Sequence, residues 1–420
     1  MPGKTLAEVK GGRALLLSML LSTTGFGLVL PYLFIYLTRV RGFDPTWVGL
    51  AGAWIGVAGL AVAVPSGALV DRFGPRRVFV VLSLAQGCGL AGYAFVHSVW
   101  QAFAAATLAA MGGPPVIGAI DTLMASAAPE AVRQRFFGLS FVALNIGIGL
   151  GGLIGGSVAD VHRPASFELL YGFAGVAVVV GGLVILFSRS FSNPDPAGPH
   201  AKAEYGGYGV LLRDRVFRRF LFVGVVLMAG AYGQLEYGFT AFSADVAKVS
   251  TRTVGFAFAA NCATIVVIQL AVLPRLEGRS RSRLLALAAA VIGGSWLVLA
   301  GGAIRPGGML AIAAVAGCGI VFALGEVVMS PILPSLTNSL ASDELRGRYN
   351  TMSSMTFGVT SVIGPLTSAP LIGHGLWGVW LALVVASGLA AAYVAITLRS
   401  RLTAEQDGRE PEAARQTSTA

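Results

Sequence analysis

The sequence predicts an all-α polytopic membrane protein with twelve transmembrane helices in two six-helix halves. Three observations carry this prediction. First, of 420 residues 55% are hydrophobic and 12% charged, with a mean hydropathy of +0.75; a soluble domain carries roughly 25% charged residues. Second, the apolar residues come in unbroken runs of about 20, the length of helix that crosses a hydrocarbon core of about 30 Å. The runs do not alternate as the strands of a membrane barrel would. Third, the two halves repeat at a constant offset of 213 residues: Arg133 and Arg346, Arg135 and Arg348, Gly151 and Gly364.

Taken in order, apolar runs bounded by charge, glycine or proline place spans at 14–37, 47–69, 78–96, 99–127, 137–159 and 168–188. Residues 1–188 form the first half. Residues 189–218, containing SNPDPAGPHAKAEYGG, read as a polar cytoplasmic linker. Six further spans at 219–243, 253–274, 284–303, 309–340, 350–373 and 376–398 form the second half, 219–398. The polar remainder, 399–420, has the composition of a disordered tail. The start, MPGKTLAEVKGGR, runs into a span-length apolar block without a small-residue cleavage site, so it reads as a cytoplasmic start and not a signal peptide. With that start inside, 24 Lys and Arg fall in inner segments and 6 in outer ones, which orients both termini to the cytoplasm.

The formal charge of +10 does not imply nucleic acid. The bases occupy short links between spans, not a face with stacking or base-reading groups. Cys88, Cys262 and Cys318 lie singly in apolar segments, without disulfide or metal-ligand spacing. His97, His162, His200 and His374 are scattered in or near loops and read as solvated. There is no phosphate-cradling loop, zinc-protease motif or nucleophile elbow. Neither an enzyme, a metal site nor ATP as energy source is expected.

Between the second and third spans lies GALVDRFGPRR, residues 67–77. Gly67 would admit a close helix neighbour. Asp71 can accept from arginines or helix N-terminal amides. Gly74 with Pro75 turns the chain, and Arg72, Arg76 and Arg77 suit the cytoplasmic headgroup region. Span 5 carries Gly147, Gly151 and Gly155 every fourth residue, a smooth stripe for helix crossing; Gly364 and Pro365 stand at the matching place in the second half.

An ionisable side chain left in hydrocarbon costs about 2.5 kcal/mol or more, so acids inside spans are candidates for function. There are three: Asp121 in span 4, Glu236 in span 7 and Glu326 in span 10, and no Lys or Arg sits mid-span to neutralise them. A carboxyl that is neutral in one facing state and charged in the other is what proton coupling requires, and Glu326 leads because of its mid-depth position. Each could instead be structural; Asp121 could pair with Arg133 or Arg135. Tyr32, Asn145, Gln234, Tyr237, Asn261 and Gln269 are candidates for a substrate cavity, with Asn350 beside them, although an interhelical hydrogen bond explains each one singly. Asn261 and Gln269 are two turns apart and share a face.

The 67–77 segment resembles the inter-span signature of the major facilitator superfamily, with Gly67, Asp71, Arg72, Gly74, Arg76 and Arg77 filling every slot. The strings GEVVMSPILPSLTNSLASDELRGRYN and YGQLEYGFTAFSADV resemble the bacterial twelve-span drug/proton antiporter branch. The resemblance implies the major facilitator fold, a bacterial inner-membrane location, and a role for the 67–77 cluster as a cytoplasmic latch between the halves in the outward-facing state. It implies export of a small amphipathic or drug-like compound against protons, driven by the proton gradient without a cofactor. The expected partners are the substrate, protons and the lipid bilayer, and the expected state is a monomer. Two features depart from the branch: Gly152 stands where it carries a proline, and span 4 lacks its arginine. A proton symporter importing a neutral sugar or other small solute is the alternative, and a non-transporting membrane sensor the second.

Overall fold

The computed structural model describes residues 9–188, 190, 211, 213–276, 278–341 and 346–409. No strand occurs among them. Twelve helices are long and apolar enough to cross a membrane: Gly12–Val40, Pro45–Ala63, Pro75–Phe95, Val99–Met124, Phe136–Val158, Pro164–Phe187, Arg215–Leu235, Thr251–Gln269, Arg281–Ala303, Met309–Leu340, Met355–Gly373 and Trp377–Arg401. They are spans 1 to 12, each within a few residues of its expected place. Most of the polar linker, residues 191–210, lies outside the described residues. "Inner" below means the end of the bundle that carries Gly12 and the 67–77 segment, and "outer" the opposite end.

Local chemistry explains the helix boundaries. Asp44 caps span 2 by accepting from the Thr46 amide at 2.8 Å. A Ser98–Gln101 capping box starts span 4. Gly74, at φ 83°, divides span 2 from span 3, a conformation that favours glycine. Spans 1 and 7, the first helix of each half, are both broken. Span 1 tightens to a 3₁₀ turn at Leu30–Tyr32, around Pro31, and ends in a π turn at Tyr36–Val40. Span 7 breaks at Ala231, resumes at Tyr232–Leu235 and Gly238–Ala241, and ends in a π turn at Phe242–Val246. The two halves therefore repeat in shape as well as in sequence.

The halves meet along two seams, span 2 against span 11 and span 5 against span 8. In the first, Gly373 lies against Pro45 at the outer end, and Gly49, Gly52 and Gly56 follow against Pro365, Tyr237 and Val362. The series ends near mid-depth with Leu60 against Gly358; further in, Gly67 has no atom within 4 Å of where a Cβ would stand. In the second seam Thr251 donates to the Ala159 carbonyl at 2.6 Å, and Gly255 lies on Gly152 and Gly156. The bundle is closed at its outer end.

One expectation fails. The polar tail is structured as far as residue 409: Leu402 is buried and Asp407 is fully buried. The Asp407 carboxylate accepts from the Ser280 hydroxyl at 2.7 Å and the Ser282 amide at 2.8 Å. The amides at the start of the span 9 helix need acceptors, and an acid from the tail supplies one. Residues 410–420 lie outside the described residues.

Candidate functional site

The three acids occupy different environments. Glu326 is buried in the second half. One carboxylate oxygen accepts from the Tyr232 hydroxyl of span 7. The other, Oε2, is buried without a hydrogen-bond partner. Asn261 of span 8 lies beside the same carboxyl and donates to the Gly319 carbonyl of span 10 at 3.1 Å. The Tyr232 ring is held by Phe357 and Phe322, with centroids at 5.7 and 6.1 Å. Spans 7, 8, 10 and 11 thus converge on one carboxyl.

Glu236 follows Tyr232 by one helical turn, so the two start from the same face of span 7. Its side chain is exposed, without an ion pair, where the chain passes between the short helices Tyr232–Leu235 and Gly238–Ala241. Asp121 is exposed on span 4, while its neighbours Ile120, Leu123 and Met124 pack in the core of the first half. It makes no ion pair; Arg133 instead donates to the Ala128 carbonyl at 3.3 Å, and the Arg135 side chain lies outside the described ones.

The expected cavity residues are corrected by their contacts. Tyr32, Asn145, Gln234, Tyr237 and Asn261 are all at most 5% exposed. Tyr32 donates across to the Gly152 carbonyl of span 5 at 2.7 Å, and its ring end is wedged between Gly156 and Gly255. Gln234 accepts from the Trp380 indole at 2.8 Å and donates to Ala229 and Thr367. Asn145 donates to the Phe141 carbonyl of its own helix. Tyr237 packs on Gly52 of span 2. Tyr32, Gln234 and Asn261 bind helices together, because a polar group between helices takes the nearest protein partner when water is excluded. Gln269 is half-buried, and Asn350 donates to Asn338 at 2.7 Å near the inner end of span 10.

The glycine stripe packs within its own half. Gly147, Gly151 and Gly155 lie on Thr23, Thr24 and Leu28 of span 1, and the matching Gly364 lies on Gly233 of span 7. Gly149, Gly152 and Gly156, on the neighbouring face, meet span 8 across the seam.

The 67–77 residues, expected to latch the halves in the outward-facing state, make these contacts in a bundle closed at its outer end. Gly67 packs against nothing, because the inner ends of the halves stand apart. Arg76 donates to the carbonyls of Ile185, Leu186 and Ser188 at the end of span 6, in its own half. Arg72 lies over the Phe73 ring at 5.2 Å, and Arg77 is exposed. The Asp71 side chain lies outside the described ones.

Ion pairs at the outer end were missed by sequence reasoning. Arg39 of span 1 pairs with Asp245 of span 7 at 2.7 Å and donates to the Ala244 carbonyl at 2.6 Å. Asp44 faces His374 of the other half at 3.6 Å. Both residues of each pair read singly as loop charges. Tyr232 carried a weak signal, one turn before Glu236 on a span that holds an acid.

Two six-helix halves that repeat in sequence and pack along two seams have the architecture of a membrane transporter. The Major Facilitator Superfamily profile matches residues 15–365, and the chain belongs to that superfamily. Among curated relatives it is similar to a "Na(+), Li(+), K(+)/H(+) antiporter" of Planococcus maritimus, 29% identical over 51% of this chain and 53% of the relative. The chain spans about half the length of that relative. It is also similar to the multidrug resistance protein MdtH of Photorhabdus laumondii subsp. laumondii, 24% identical over 85% of this chain and 86% of the relative. Among solved structures, a POT family transporter in complex with 5-aminolevulinic acid superposes with a TM-score of 0.76 at 12% identity, over 94% of this chain and 97% of that one. That likeness is one of fold.

Proposed function

We propose that this transporter is an antiporter of a bacterial inner membrane, with both termini in the cytoplasm, and that it exports a small amphipathic, drug-like compound in exchange for protons. The observation that carries the reading is the Glu326 carboxyl: buried, held by Tyr232 on one oxygen and unpartnered on the other. The described neighbours of this carboxyl, Tyr232, Asn261 and Cys262, carry no positive charge to offset a permanent carboxylate. Glu236, exposed one turn from Tyr232, is the second carboxyl of the path. The similarity to proteins called multidrug resistance protein and antiporter supports the same direction. The driving force is the proton gradient, with no cofactor, and one chain is the working unit.

The test is transport in inverted vesicles. Uptake should collapse with a protonophore, and Glu326→Gln, which keeps an oxygen for Tyr232, should bind substrate and lose its pH dependence. Unchanged pH-dependent transport in that variant would remove Glu326 from the mechanism. A second reading, exchange of a monovalent cation for protons, is favoured by the name of the Planococcus relative and by acids without basic partners in mid-span. Proton movement that requires sodium or potassium and survives without organic substrate would select it.

A further inference from the structure

Glu326 is buried, so a proton needs a way to reach it. A cleft of about 210 Å³ lies wholly within the second half, between spans 7, 10 and 11. Its walls include Gly224, Met228, Thr337, Asn350, Ser353 and Phe357. At roughly 30 Å³ per molecule it has room for several waters. Asn350 and its partner Asn338 mark the inner mouth. Phe357, at the other end, is the ring that packs on Tyr232, and Met228 precedes Tyr232 by one turn.

Span 10 continues the line from the cleft to the carboxyl. Glu326, Ser330, Leu333 and Thr337 follow the helical repeat of three and four and share one face; Leu333 and Thr337 line the cleft. The Ser330 hydroxyl is buried without a partner, as is Glu326 Oε2. Pro331 and Pro334 lie inside the helix. Lacking an N–H, they leave the carbonyls of Val327 and Ser330 without their helical donors. Two unpartnered side-chain groups and two released carbonyls therefore occupy the stretch between the cleft and Glu326. Buried polar groups are met by protein or by water in native proteins, and the Ser330 hydroxyl has no partner among the described residues.

We propose that this cleft is the inner access route for protons to Glu326, separate from the space between the halves. Water in the cleft and the Ser330 hydroxyl form the relay. A hydronium ion gives its proton to Glu326 Oε2 and leaves a water, and the reverse transfer discharges it. Tyr232, Asn261 and Cys262 are the polar or titratable groups that face the carboxyl. The direction of net transfer rests on the antiport reading above; the route itself does not.

Accessibility tests the route without a transport assay. In a chain with Cys88, Cys262 and Cys318 replaced by alanine, Ser330→Cys should react with aminoethyl methanethiosulfonate applied to the inner face of inverted vesicles. Thr403→Cys, exposed on the docked tail, is the control for reagent and orientation. Gly224→Leu should then abolish labelling at 330 and leave labelling at 403 intact. A Cβ at Gly224 meets Thr356 at ordinary contact distance, so the larger side chain fills the cleft without forcing the backbone. Should that variant fail to reach the membrane, Thr356→Leu fills the same space. An unreactive Ser330→Cys beside a reactive Thr403→Cys overturns the proposal, and so does labelling at 330 that survives both fillings. A labelled, blockable site 330 together with unchanged pH dependence in Glu326→Gln would uphold the route and reject Glu326 as the coupling group.

Discussion

Asp44 and His374 face each other at 3.6 Å across the outer seam, one from each half. His374 Nδ1 lies 2.8 Å from the Pro370 carbonyl, so that nitrogen carries the hydrogen. A neutral ring then turns the lone pair of Nε2 toward a carboxylate, and only the protonated ring donates to both partners. Two hydrogen bonds from Thr46, and then His374, hold the Asp44 carboxyl below its ordinary range. A carboxyl lowered in this way contributes above its free-chain value, and the contribution is lost as pH falls through the lowered one. The nearby arginines are engaged elsewhere, Arg39 with Asp245 and Arg41 with Glu168. Acidifying the outer side through the lowered Asp44 value should therefore loosen the seam. Spin-label distances across the outer ends of spans 2 and 11 should show this in the native chain and not in His374→Ala. An equal response in both would dismiss the pair as a pH-sensitive contact.

Removing the Arg39–Asp245 pair should loosen the same end, and only modestly. The partners are 40% and 29% exposed, and such pairs contribute about 0.2–1 kcal/mol. Asp245→Ala should shift the closed-to-open ratio by no more than about fivefold, read from the same distances at low salt. The shift should shrink in high salt.

Glycines of similar appearance in the sequence should differ sharply on substitution. A Cβ at Gly364 would fall inside the Gly233 carbonyl group, whereas one at Gly67 would meet nothing. Gly364→Ala should destabilise the protein by about 1–3 kcal/mol or more. Gly67→Ala should stay within about 0.5 kcal/mol. Thermal denaturation in detergent measures both, and equal melting temperatures would refute the close approach of spans 7 and 11.

Tyr349, on the helical turn that leads into span 11, donates to Asp214 before span 7 at 3.1 Å. Burial, followed by the Asp214 charge, pushes its hydroxyl up to about 12. A raised value means that its contribution is fully present below the free-chain value of about 10. It is lost as pH rises toward the raised value. The native protein should lose stability between these limits, and Tyr349→Phe should lose less over the same interval. Parallel alkaline denaturation curves would argue against the Tyr349–Asp214 bond.

Much of the fold is legible in the chain, because a span announces itself locally: twenty apolar residues form one whatever lies beside them. The break in span 1 is foreshadowed by Pro31. Glu326 is legible for the same reason, as an acid in an apolar run. Its partner is not: Tyr232 is 94 residues away, and no local pattern ties them. Tyr32 and Gln234 mislead because a polar side chain in a span reads alike whether it faces a cavity or a neighbouring helix. Asp407 misleads because polar composition describes a disordered tail and a docked helix cap equally well.

Sequence alone determined the class, the number of spans, their relation as two halves through the 213-residue repeat, and the resemblance to the superfamily through residues 67–77. These follow from composition, run length and motif spacing, which are properties of neighbours along the chain. Tertiary structure decided which end of the bundle is closed, that Arg76 reaches the carbonyls at the end of span 6, and that Glu326 is buried while Glu236 is exposed. Helical periodicity assigns a residue to a face, but what that face meets depends on how the helices pack.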